Sequence, residues 1–72
     1  MYRGGYTMNR KSLEGKWNQL KGDAKHKWAM LSDDDLSEVE GDADKLAGVL
    51  QEKYGYEKER ARNEVNAWIE SL

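Results

Sequence analysis

Apolar residues recur along the first part of the chain at steps of four, three, four, four and three: Leu13, Trp17, Leu20, Ala24, Trp28 and Leu31. At about 100° per residue this spacing holds all six on one narrow face, which predicts a single amphipathic helix of about 20 residues. The phase runs through Gly22 unbroken, although an interior glycine costs roughly 1 kcal/mol against alanine. Gly15 and Gly22 fall opposite the stripe and are expected to lie in solvent.

The stripe ends at Leu31, and the stretch SDDDLSEVEGD begins a new element. Ser32 is a good N-cap, its hydroxyl placed to accept from an amide one turn on. Asp33, Asp34 and Asp35 fill the first turn, where the positive end of the helix dipole favours carboxylates. Asp35 stands where a capping box usually has Glu or Gln, so an imperfect box is expected. Leu36 and Val39 give this short helix its apolar side, and Gly41 is its stop.

A third helix is predicted from Asp42 to Tyr54, with Ala43, Leu46, Ala47, Leu50 and Tyr54 on one face. Gly55 ends it, and Tyr56 is placed to fold its ring back on the last turn. A final helix from about Lys58 turns Ala61, Val65, Trp68, Ile69 and Leu72 inward. Its outer face sets Glu57 near Arg60 and Glu59 near Arg62 at i,i+3 spacing. There is no proline and no alternating strand pattern, so the fold class is all-α. Residues 1–7, MYRGGYT, carry no periodicity and read as a flexible N-terminal extension.

Composition narrows the options. Hydrophobic residues are 38% and charged residues 36% of 72, enough for one domain with a thin core. The absence of cysteine removes disulfides, thiolate metal sites and a cysteine nucleophile. No apolar run approaches the roughly 18–20 residues needed to cross a bilayer, and MYRGGYTMNRKS has no apolar signal-peptide core. The expectation is a soluble intracellular protein, a monomer without cofactor or stable membrane insertion.

Charge is unevenly placed. Residues 1–31 hold seven Lys/Arg and two acids, residues 32–52 one lysine and eight acids, and residues 53–72 four of each. A basic third beside an acidic middle fits nucleic-acid binding, or two segments that face and neutralise one another. Lys16, Lys21, Lys25 and Lys27 flank the first stripe and are the candidate phosphate contacts, for weak, sequence-independent binding. In a folded bundle the same lysine stems cover the core edge while their charges reach water. Isolated, that helix would have the character of a membrane-surface segment.

The acidic run fails as a calcium loop. Counted from Asp33, the third and fifth positions are Asp35 and Ser37, but the sixth is Glu38 rather than glycine and the twelfth is Asp44 rather than glutamate. No metal site is expected. His26 is the single histidine and falls almost opposite the tryptophan stripe, with no phased partner for catalysis. Trp17, Trp28 and Trp68 lie on apolar stripes, which favours core over a base-stacking platform. No catalytic residue emerges.

The run EGKWNQLKGDAKHKWAMLSDDD, the pair EG at 40–41, LAGVLQEKYGY at 46–56 and the closing Ala61 and Trp68 resemble the CsbD-like family of small bacterial stress proteins. The likeness extends from Met8 to Trp68, so residues 8–72 read as a CsbD-like helical domain. Met8-Asn9-Arg10-Lys11 is similar to the family's usual start, which leaves open whether Met8 begins the native chain. The resemblance implies a cytoplasmic protein made in the general stress response. It also implies a small four-helix bundle of two crossed α-hairpins, sterile-alpha-motif-like. The family has no established activity, ligand or cofactor, so no site residue carries over. Function then rests on abundance or on an unidentified protein partner. Glu57 departs from the pattern, standing where a stronger N-cap is expected.

Overall fold

The computed structural model describes residues 10–72, so the predicted extension of residues 1–7 and the alternative start at Met8 lie outside the described residues. Within them the chain is all-α. Five helices follow in order: α1 Arg10–Gly15, α2 Trp17–Lys27, α3 Asp33–Val39, α4 Ala43–Tyr54 and α5 Lys58–Glu70.

The first predicted helix is two helices. Lys16 takes φ −115° and ψ 16°, outside the helical basin. Its N–H reaches back to the Leu13 carbonyl at 3.3 Å, and its own carbonyl accepts from Gln19 and Leu20 at 2.9 and 3.0 Å to start α2. Gly15, the residue before the break, contributes little to hold a helix together. The stripe survives the break because the joint loses almost no rotation. Leu13, Trp17, Ala24, Trp28 and Leu31 are all buried, and Leu20 packs at the core edge. The helix also ends earlier than its stripe, since Trp28 leaves the helical region at φ −121°, ψ 82°. A turn closed by Leu31 N–H on the Trp28 carbonyl, at 3.0 Å, then carries both side chains inward. Gly15 and Gly22 face open space, as their positions on the wheel require.

The capping box at α3 is complete. Asp35 N–H donates to Ser32 Oγ and Ser32 N–H donates to Asp35 Oδ2, each at 3.0 Å. The shorter aspartate closes the reciprocal pair that glutamate usually makes. Asp42 caps α4 by accepting from Asp44 and Lys45 N–H at 2.9 and 3.3 Å. Gly55 ends α4 at φ 72°, and Tyr56 stacks on Tyr54 with ring centroids 5.3 Å apart. Glu57 precedes α5 without a side-chain cap.

Gly41 does more than stop α3. Both Glu40 (φ 54°) and Gly41 (φ 78°) are left-handed. A side chain on Gly41 would stand 2.6 Å from Glu14 Cα and 3.0 Å from the Leu13 carbonyl oxygen. The α3–α4 turn therefore rests on the backbone of α1, and only glycine fits there.

The core draws buried residues from all five helices, and three tryptophans link α2, α3 and α5 within it. Trp68 of α5 meets Trp17 edge-on at 6.3 Å and Trp28 at 5.3 Å. Trp17 Nε1–H donates to the Leu36 carbonyl at 2.7 Å. That carbonyl lies in the last turn of α3, where no helical amide remains to bond it. Among the described residues no polar or charged side chain is buried. Two expectations at α5 are corrected. Leu72 lies past the end of the helix and is 38% exposed. Arg60 stands over the Tyr56 ring at 4.2 Å and Arg62 reaches Asp44 at 3.7 Å, rather than pairing with Glu57 and Glu59.

Two pairs of variants test this packing by urea or thermal unfolding. Gly41→Ala should cost about 1–3 kcal/mol through overpacking on α1, whereas Gly22→Ala should add about 0.4–1 kcal/mol. Trp17→Ala should cost about 3–5 kcal/mol. Trp17→Phe keeps a ring but strands the Leu36 carbonyl, and should cost about 1–3 kcal/mol.

Candidate functional site

The acidic run is spread over structural tasks. Asp33 pairs with Lys25 at 3.0 Å, Asp35 closes the capping box and meets Lys53 at 3.4 Å, and Asp42 caps α4. The basic and acidic segments thus touch at Lys25–Asp33, while Asp35 and Asp44 turn to the C-terminal half. Among the described residues no group of three or more His, Cys, Asp or Glu is arranged to hold a metal.

The candidate phosphate-binding lysines do not form one patch. Lys16, Lys25 and Lys27 are exposed and Lys21 is half-buried. On the α2 wheel Lys21 and Lys25 lie to one side of the buried Trp17–Ala24–Trp28 stripe, and Lys16 and Lys27 to the other. Lys25 is engaged by Asp33, and Lys27 Nζ sits 5.5 Å from the centre of the Trp28 ring. Lys21 borders a polar recess with Glu14, Asn18, Ser37 and Glu40, a mixed-charge setting rather than a basic groove. The tryptophans, at 3–5% exposure, have no face free for stacking. His26 is exposed.

A solvent-open groove of about 600 Å³ between α3 and α4 escaped the sequence reading. Val39, Gly48 and Val49 line it together with Glu38, Glu40, Lys45 and Glu52; Val39 is fully buried, so Gly48 and Val49, both half-buried, give the apolar surface that stays open. The available signal was Val49 off the buried stripe of α4, beside Gly48 and one turn before Glu52; nothing local says that α3 stands opposite.

No helix among the described residues is long and apolar enough to cross a membrane. The class so defined is a small all-α domain whose short polar side chains cap helices and whose aromatic residues fill the core. The profile of the CsbD-like family matches residues 11–63. The chain belongs to that family. A UPF0337 protein of Pectobacterium atrosepticum is 52% identical over 61 residues, spanning 85% of this chain and 88% of its own. Another from Xanthomonas axonopodis pv. citri is 51% identical over 65 residues, 90% of this chain and 94% of its own. The UPF0337 protein YjbJ of Escherichia coli is 46% identical over 61 residues, 85% and 88% of the two chains. No solved structure matches.

The Asp35 carboxyl titrates below its ordinary value of 3.8, chiefly because the Ser32 N–H bonds the charged form, with the Ser32 hydroxyl and Lys53 adding to this. A lowered folded-state pKa means that the unfolded chain binds this proton more tightly. The stabilisation is therefore complete above the ordinary carboxylate range and is lost as the pH falls through the folded value. Asp35→Asn should unfold at lower urea than the wild type at pH 7, and the gap should close as the pH drops below 3.8.

Proposed function

We propose that the chain is a non-enzymatic, cytoplasmic stress-response protein that acts by its abundance or by binding a protein partner. The observation that carries this reading is the employment of its chemistry-bearing residues. Ser32, Asp35 and Asp42 cap helices, and the three tryptophans fill the core. Membership of the CsbD-like family supports the same reading. The five helices are read as two crossed α-hairpins of sterile-alpha-motif type. In this reading the break at Lys16 divides one long helix, and α4 with α5, the most extensively packed pair, forms the second hairpin. Monomeric behaviour is part of the same proposal.

The alternative is weak, sequence-independent binding of nucleic acid by Lys16, Lys21, Lys25 and Lys27. The exposure of three of them favours it, and their division between two sides of α2 limits it to few phosphate contacts at once.

Quantitative mass spectrometry of the bacterium that carries the chain should find its level rising several-fold in stationary phase or osmotic shock. A strain lacking it should survive that stress less well. An unchanged level and unchanged survival across stresses would overturn the reading. For the alternative, an amide-shift titration with a short DNA duplex should move residues 13–31 at low salt and release them near physiological salt. A spectrum that stays still retires it.

A further inference from the structure

Seven of the eight acids of the middle segment fall into two groups, and the eighth, Asp34, stands exposed in the first turn of α3 away from the groove. Asp33, Asp35, Asp42 and Asp44 cap helices or meet Lys25, Lys53 and Arg62. The side chains of Glu38, Glu40 and Glu52 make no hydrogen bond or ion pair with any described residue. These three are the glutamates that rim the groove between α3 and α4, where Lys45 is the single opposing charge. Beside them Gly48 and Val49 are half-buried and apolar. Nothing lies within 4 Å of where a Gly48 side chain would stand, so the α4 backbone is open to approach there.

We propose that this groove receives a cationic amphipathic helix of another polypeptide. Its apolar ridge would lie on Gly48 and Val49 and its lysines or arginines against Glu38, Glu40 and Glu52. An apolar trough rimmed by carboxylates that pair with no described residue is complementary to such a helix in both shape and charge. Phosphates are repelled by the same rim. A second copy is a poor occupant, because the basic helix α2 has its own apolar stripe buried. The exposed large apolar residues, Met30 and Leu72, lie in the α2–α3 turn and beyond α5. The proposal deepens the partner-binding reading and rests on it. That reading is tested in the cell and this one in the tube, so either can fail alone.

The test is an amide-shift titration of the full chain with a synthetic leucine–lysine helix about four turns long, against a scrambled peptide of the same composition. Shifts should map to the groove-lining residues, and the amphipathic peptide should bind about tenfold tighter than its scramble. Gly48→Leu fills the groove, keeps the charge and replaces a poor helix former, so it should stay folded by circular dichroism. It should weaken binding by about tenfold. Glu38→Gln with Glu52→Gln should weaken binding and flatten its salt dependence. Equal binding of both peptides, or binding untouched by Gly48→Leu, would reduce the effect to diffuse charge attraction and overturn the proposal. Self-association in sedimentation that Gly48→Leu abolishes would assign the groove to a second copy, and would overturn it too.

Discussion

The bond from the Trp17 indole to the Leu36 carbonyl is the constraint on which the arrangement turns. A buried indole N–H needs an acceptor, and a helix ending inside the fold needs donors for its last carbonyls. At 2.7 Å the two requirements answer each other. The bond also fixes the height of α3 against α2, and so the position of the turn that follows. From Trp17 the aromatic contacts run through Trp68 to Trp28, tying α5 to both ends of α2. A chain this short buries a limited share of its surface, so a few large rings in edge-on contact supply a disproportionate part of its cohesion.

Gly41 is the second fixed point. The turn it forms with Glu40 lies on the backbone of α1, and a single methyl group there would collide with Glu14. The close approach sets where α4 begins relative to α1. It also brings Glu40 to the rim shared by the groove and the polar recess beside α2. Packing at one glycine thus decides which carboxylates come together on the far side of α3.

The polar residues divide by reach. Short side chains next to helix starts, Ser32, Asp35 and Asp42, bond backbone amides locally and are absorbed by the fold. Glutamates further along α3 and α4 have no orphan amide within reach and remain on the surface. An acidic run that looks uniform in sequence is therefore mixed, part of it absorbed into caps and ion pairs and part of it left on the surface. The lysines of α2 divide in a different way, separated by the buried stripe they flank.

Much of this was legible in the sequence because it is local. The steps of four and three placed Leu13, Trp17, Ala24, Trp28 and Leu31 in the core, the serine–aspartate run marked the start of α3, and the glycine and tyrosine at 55 and 56 marked the end of α4. The break at Lys16 was hidden because the stripe keeps its phase across it, and periodicity reports phase rather than continuity. Local spacing likewise overstated the Glu57–Arg60 and Glu59–Arg62 pairs, since Tyr56 and Asp44 offered those arginines competing partners from outside the helix. By itself the sequence determined the class, the core face of each helix and the capping chemistry. Tertiary structure alone decided that Trp17 would find Leu36, that Gly41 would rest on Glu14, and that Val39, Val49 and three glutamates would share one groove. These are contacts between elements, and their partners lie beyond the reach of any local pattern.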